Sequence, residues 1–268
     1  MGMIDYQMHT LNSDGTSSVE EMIIAAEKIG LKEICITDHF SPHGDTNQLT
    51  GEKLPRYFKE IESAGKDHLI KVRIGLEVEY YEELETQIER ALSELQWDLV
   101  LGSVHRVGGL EIGDNEFYSS RSQLEAYTLY FDKWRKAVES RLFDVMAHPD
   151  YVRRWALPFY ERELEFATYE NQLIEPLRYM AKNRIGFEVN CGGLRRREGI
   201  TYPSVEFVTL ARNQGVEIVT ISSDAHSAED LSILFLSEDV SVLKKAGFDQ
   251  VYTFNRRKPS PIPIDRLY

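Results

Sequence analysis

Seven short apolar runs, near residues 4–8, 33–37, 72–78, 98–104, 144–148, 186–190 and 216–222, punctuate the chain, with a weaker eighth at 250–254. Each is short enough for a strand. Between them, apolar positions recur every three to four residues over 82–95, 121–141, 170–184, 203–214 and 229–246, the spacing of one helix face. An earlier helix starts at Ser17-Ser18-Val19-Glu20-Glu21, a capping sequence, and runs through Met22, Ile23, Ala25, Ala26 and Ile29 to a closing Gly30. Strand alternating with helix predicts an α/β protein with a parallel sheet, and seven or eight such units point to a closed barrel. An open, doubly wound sheet is the competing architecture. No internal repeat or composition shift interrupts the alternation, so residues 1–268 read as one domain. The tail at 256–261, rich in Arg, Lys and Pro, reads as an irregular, solvated end.

Length agrees with this picture, because 268 residues is close to the roughly 250 that one α/β barrel uses. The two cysteines, Cys35 and Cys191, form no disulfide framework, and Cys35 sits inside an apolar run as a core residue. The start of the chain lacks the basic and long apolar stretches of a signal peptide, and no run approaches a membrane span, so a cytoplasmic protein without a membrane partner is expected. A net charge of −13 argues against a nucleic-acid partner bound through a basic surface. A small phosphorylated substrate stays compatible with it, since metal ions and a few arginines reverse the sign locally.

The chemistry lies where the apolar runs end. They read IDYQMHT (His9), EICITDH (His39), LVLGSVH (His105), DVMAHPD (His148) and IVTISSDAH (Asp224, His226), and RIGLEVEY adds Glu77. Ligand-type residues at successive strand ends share the C-terminal mouth of a barrel. Imidazole plus carboxylate with almost no thiol suits zinc, manganese or iron at a hydrolytic site. A mouth holding these groups and Asp14 without a cation would carry a large desolvation and repulsion cost. Two histidines stand apart: His68 reads as a surface residue, and His43 lies in a loop that could reach the mouth.

Seven strings, MHTLNSDG, TDH at Thr37-Asp38-His39, GLEVEY from Gly75, GSVH from Gly102, AHPD from Ala147, VNCGGLRR from Val189 and SDAH from Ser223, occur in an order and spacing that resembles the polymerase-and-histidinol-phosphatase (PHP) family. Within it, the chain is most similar to the histidinol-phosphatase branch. The resemblance extends over nearly the whole chain. It implies a distorted (β/α)7 TIM-like barrel and two to three divalent metal ions (Zn, Mn or Fe). Carried over by position, it implies a first ion on His9, Glu77 and Asp224. Glu77 would bridge to a second ion on His105 and His148, and Asp14, His39 and His226 would hold a third. Glu77, Asp224 and His226 are the residues it makes catalytic. The chain departs from the family pattern at Gln7, which stands where the family has the first histidine of a His-x-His pair. Gln7 then reads either as a neutral oxygen ligand or as a hydrogen bonder that orients a neighbour.

The run Arg195-Arg196-Arg197 follows a strand, and a guanidinium fork matches two phosphate oxygens. Arg195 and Arg196 are the expected substrate clamp, Arg197 is a third candidate, and Arg106, Arg153 and Arg154 are further ones. The resemblance implies a phosphomonoesterase that converts L-histidinol phosphate and water to L-histidinol and phosphate by a hydroxide held between metal ions. Glu79, Tyr80, Asp114, Phe117 and Tyr118 are candidates to meet the ammonium and imidazole of that substrate, and the connection 106–120 is expected to arch over the mouth. Three alternatives compete: hydrolysis of another small phosphomonoester or a nucleotide, an amidohydrolase-like deacylase, and a degenerate barrel that binds metal or phosphate without turnover. The arginine run and the lack of a metal-bridging lysine signature weigh against the deacylase.

Overall fold

The computed structural model describes every residue except Met1, Thr46, Arg197 and Glu198, so the Arg197 candidate lies outside the described residues. Seven parallel strands follow one another in chain order. They are β1 (Ile4–Asp5), β2 (Glu33–Ile36), β3 (Lys71–Glu79), β4 (Leu99–Ser103), β5 (Val145–Met146), β6 (Gly186–Asn190) and β7 (Val219–Ser222). The seam between first and last closes through single backbone bonds rather than a regular ladder. Tyr6 N–H donates to Ile221 O (3.0 Å), Asp224 N–H to Gln7 O (3.0 Å) and His9 N–H to Ala225 O (2.8 Å). This is the distorted (β/α)7 barrel expected from the sequence, and the open-sheet alternative is excluded by that seam.

The seam also explains why β1 is shorter than the apolar run 4–8. Beyond Asp5 the chain pairs with the segment after β7, with Met8 opposite Ala225, and no longer with β2. The nearly flat burial of the strands has the same origin. Both faces of β2, β4, β6 and β7 are covered, by the barrel interior and by the helical layer.

Helices formed where their signals were strong. Val19–Lys28 begins at Ser18, whose hydroxyl accepts from Glu21 N–H while the Glu21 carboxylate reaches back to Ser18 N–H. Gln123–Ser140 starts with the same reciprocal arrangement between Ser122 and Glu125. Gly30 ends the first helix at φ +90, a conformation open to glycine at little cost. Leu54–Ala64, the β2-to-β3 crossover, was not foreseen. Its buried stripe is only Leu54, Tyr57 and Ile61, too narrow to stand out among polar neighbours. Val152–Tyr160 and Asn115–Ser119 were missed for the same reason. No helix among the described residues is long and apolar enough to cross a membrane.

The expectation of an irregular, solvated tail is half corrected: residues 256–261 are largely exposed, but the end is a regular strand. Lys258–Pro263 (β9) pairs antiparallel along its whole length with β8 (Gln250–Asn255), register Asn255↔Lys258 to Gln250↔Pro263. The turn of this hairpin docks at the strand starts, opposite the mouth. Arg257 donates from Nε to Asp144 (3.0 Å) and from Nη2 to Leu142 O (2.7 Å), and Arg256 N–H donates to Asp98 (3.0 Å). Phe254 N–H donates to the Tyr6 hydroxyl (2.9 Å), tying the hairpin to the β1 side of the seam. The Arg-Arg-Lys composition suggested solvent, but the arginines serve acidic residues that precede strands. Replacing Arg257 with Ala leaves the Asp144 carboxylate without its cation and should lower stability by about 1–3 kcal/mol. A denaturant midpoint reduced accordingly, with catalytic constants unchanged, would fit a closure remote from the mouth; an unchanged midpoint would show the hairpin turn to be idle.

Candidate active site

The mouth is organised around one carboxylate. Glu77 lies in the last half of β3, where strand alternation sends it and Glu79 to the same side, and it is fully buried. Its Oε1 is 2.9 Å from His148 Nε2 and 3.5 Å from His105 Nε2. Its Oε2 is 3.3 Å from His9 Nε2, 3.4 Å from His39 Nδ1 and 2.6 Å from Gln7 Nε2. His9 Nε2 also lies 3.1 Å from Asp224 Oδ1. Asp14 joins the other side, 3.7 Å from His39 Nε2 and 3.3 Å from His226 Nε2. The His9 and His39 rings stack with centroids 4.3 Å apart.

Eight expected ligands therefore meet in one place. His9, Glu77 and Asp224 form a group whose ligand atoms lie within 4.8 Å of one another, as one ion requires. Asp14, His39 and His226 form another, which His9 joins, and Glu77 with His105 forms a third that includes His39. His148 reaches that third group through Glu77 Oε1.

Hydrogen bonding prepares these rings for cations. His226 Nδ1 lies 2.9 Å from Asp224 O, which can only accept, so Nδ1 carries hydrogen and Nε2 is turned to Asp14. His105 Nδ1 is likewise held by the Glu79 carboxylate at 2.9 Å, which turns Nε2 toward Glu77. An imidazole lone pair facing a buried carboxylate is a repulsive arrangement that a divalent cation between them resolves. The electrostatics agree. Burial pushes His39 down to about 3, and the neighbouring His9 and His105 reinforce this against Glu77 and Asp14, so the ring is neutral and available. Burial also opposes charge on Glu77, yet His39, His148 and His9 outweigh it and hold this carboxyl well below its usual range. Imidazoles supply the countercharge that bound ions would take over. The residues present fit divalent metal ions.

Two of the candidate ligands sit on strained backbone, His148 at φ 26 and Asp224 at φ 54. Non-glycine residues adopt such angles at a cost of order 1–3 kcal/mol, sustained where neighbours enforce them. For His148 the enforcing contact is its N–H, donated to Glu188 at 2.8 Å. For Asp224 it is Arg195, which donates from Nη1 to Ser223 O (2.7 Å) and from Nη2 to Asp224 O (2.8 Å), with Nε 3.3 Å from Asp230. This corrects the expectation for Arg195: its donors are engaged by the protein, and it does not line the cleft.

The cleft above the ligands, about 390 Å³, is walled by Arg154, Trp155, Tyr151, Arg196, Arg106 and the segment Glu111–Gly113. Arg196 is where the sequence placed it. Arg106 lines the cleft while its Nη1 donates to Glu111 at 2.7 Å. Of the pair 153–154, Arg153 turns inward to Asp150 and Glu163. Arg154 faces the cleft, its guanidinium 4.3 Å above the Trp155 ring and bonded to the Tyr151 hydroxyl. Tyr151 and Trp155 were missed, although Tyr151 follows AHPD directly and Trp155 lies one helical turn further on, and Tyr151 packs tilted on His148 with centroids 4.3 Å apart. The 106–120 connection does border the mouth, through Arg106 and Glu111–Gly113. Asp114, Phe117, Tyr118 and Tyr80 do not line it; Tyr80 bonds Glu85 (2.6 Å) and Tyr118 bonds Ile112 O (2.8 Å). Glu79 faces the cleft, but it is occupied by His105 and by the N–H groups of His105 and Arg106. His43 packs on Tyr81 in a neighbouring groove, and His68 lies between Glu20 and Glu27, away from the mouth.

Comparison with known proteins agrees with this geometry. The chain is 28% identical to the histidinol-phosphatase of Lactococcus lactis over 96% of each chain. It is 27% identical to a Deinococcus radiodurans protein named "Probable histidinol-phosphatase", over 97% of this chain and 99% of that one. The crystal structure of the Lactococcus lactis histidinol phosphate phosphatase, complexed with zinc, L-histidinol and phosphate, superposes with a TM-score of 0.85 at 26% identity, covering 96% of this chain and 98% of that one. Residues 5–192 match the PHP domain, a span that runs from the end of β1 through β6 and takes in six of the eight clustered residues, all but Asp224 and His226. With most of its length matched, its barrel closed and its ligands gathered at the mouth, the chain belongs to the PHP domain family.

Proposed function

We propose that this protein is a divalent-metal-dependent phosphomonoesterase that hydrolyses L-histidinol phosphate to L-histidinol and phosphate. The observation that carries the reading is the convergence of five imidazoles and three carboxylates on the floor of a cleft whose wall presents Arg154 and Arg196. The zinc, L-histidinol and phosphate bound by the Lactococcus lactis relative support the same substrate.

His9, Glu77 and Asp224 would hold one ion, Glu77, His105 and His148 a second, and Asp14, His39 and His226 a third. Bound there, divalent ions supply Lewis-acid stabilisation of phosphoryl charge and acidify water. Arg154 and Arg196 bind the phosphoryl oxygens from the opposite side, and Arg154 is well suited because its contacts with Trp155 and Tyr151 fix its plane before substrate arrives. Trp155 and Ile112 give the cleft an apolar flank for the carbon framework and imidazole of the substrate. Glu79 and Arg195 act through others: the first orients His105, the second holds Asp224 in its strained conformation.

Purified protein supplied with zinc or manganese should release phosphate from L-histidinol phosphate, and a chelator should abolish the release. Preference for a nucleotide in a substrate panel, or no release from metal-loaded protein, would refute the proposed substrate. Asp224→Ala removes a ligand from the most buried ion and should eliminate turnover together with part of the bound zinc, checked by metal analysis of the same sample. The three arginines separate by role. Arg154→Ala and Arg196→Ala each remove a charged hydrogen-bonding partner and should raise KM by about tenfold or more. Arg195→Ala should leave KM at saturating zinc near the wild-type value while zinc is lost more readily on dialysis; the opposite pattern would return Arg195 to the substrate clamp.

A further inference from the structure

We propose that Gln7 is a positioning residue for the metal-holding carboxylate, locked with its amide N–H2 toward Glu77 by a hydrogen-bond relay that begins at the backbone of Gly192. The inference rests on the metal-binding reading above and decides which face of Gln7 the cluster meets.

A glutamine amide is nearly symmetric in shape, and only its partners determine which atom points where. Here the partners leave one solution. The relay starts at Gly192 N–H, which can only donate, and Asn190 Oδ1 accepts it at 2.8 Å. Asn190 must then present Nδ2 on its other side, where it donates to Glu188 Oε1 (2.9 Å) and to Gln7 Oε1 (3.2 Å). With its oxygen engaged, Gln7 turns Nε2 to Glu77 Oε2 at 2.6 Å. The relay thus runs from a group that only donates to one that only accepts. Reversing Gln7 would set its oxygen against the Glu77 carboxylate and its N–H2 against that of Asn190. Two like-facing pairs would result among side chains that are all fully buried, where each unmade bond costs most.

Gly192 is part of the device. A Cβ at this position would stand 2.9 Å from Asn190 Oδ1 and 3.1 Å from Asp224 Oδ2, so only glycine lets the turn approach both. The sequence Asn190-Cys191-Gly192 therefore sets the rotamer of Gln7 from across the barrel, on the far side of the seam. Gln7 supplies no ligand atom. It engages Glu77 Oε2 by a hydrogen bond and holds that oxygen in register with His9 and Asp224.

The test is a double-mutant cycle on zinc affinity, read by competition with a chromophoric chelator for wild type, Gln7→Met, Asn190→Ala and the double variant. Each single change should weaken zinc by about tenfold or more. The double variant should be no weaker than Gln7→Met alone, because both cut the same chain of bonds. Wild-type affinity in Asn190→Ala, or losses that multiply in the double variant, would overturn the relay. A second readout needs no affinity. The Gln7 side-chain amide, assigned in isotope-labelled protein by its disappearance in Gln7→Met, should exchange slowly with solvent in the zinc-loaded wild type and faster in Asn190→Ala. Equal exchange in the two proteins would overturn it as well. If the wild type bound no zinc at all, the metal reading itself would fail, an outcome distinct from bound zinc that ignores Asn190.

Discussion

The Glu77 carboxylate is the constraint around which the rest of the molecule is arranged. An ionised carboxyl removed from water is tolerated only with compensating charge and hydrogen bonds on every side. Its two oxygens are met by Gln7, His9, His39, His105 and His148, residues that come from four different strand ends. That concentration of donors has no use in a core and is expensive to assemble. It becomes favourable once divalent cations take the place of protons among the imidazoles.

The barrel makes such convergence possible because all its strands run the same way and end at one mouth. The support behind the ligands is equally distributed. Glu79 holds His105, Glu188 holds the backbone of His148, and Arg195 holds the backbone of Asp224. Each of these three candidate ligands is thus fixed by a polar residue from a neighbouring strand or turn, and two of them are kept in backbone conformations they would not adopt alone. The opposite end of the barrel carries different work. There the β8–β9 hairpin satisfies Asp98 and Asp144 at the strand starts. Stability and chemistry are placed at opposite ends, so loops at the mouth can differ without loosening the closure.

The substrate side follows the same division between groups that touch the ligand and groups that hold them. A cleft with candidate metal ligands on its floor grips a phosphoryl group best with cations on its wall, and arginines whose charge is not already taken up by carboxylates or backbone carbonyls are the ones suited to it. Arg195, Arg153 and Arg154 show how little composition says about this. The first two are consumed by backbone carbonyls and carboxylates, whereas the third is presented to the cleft on an aromatic support.

The sequence by itself determined the alternation of strands and helices and the placing of His9, His39, Glu77, His105, His148, Asp224 and His226 where apolar runs end, because run length and residue type are local properties, whereas the seven-stranded barrel and the grouping of these residues with Asp14 into ion sites came from the resemblance to the PHP family. It was also sufficient for the capped helices at Ser18 and Ser122, whose signals span three residues. It misread the tail, since the partners that order Arg256 and Arg257 lie more than a hundred residues away at Asp98 and Asp144. It left Gln7 ambiguous and favoured Arg195 over Arg154 for a related reason. Which atom of an amide faces a carboxylate, and which of several arginines is free, depend on donors and acceptors brought together only by closing the barrel. The identity of the candidate ligands is a property of the chain; their orientation, and the choice of which cations remain for a substrate, are decided by the fold.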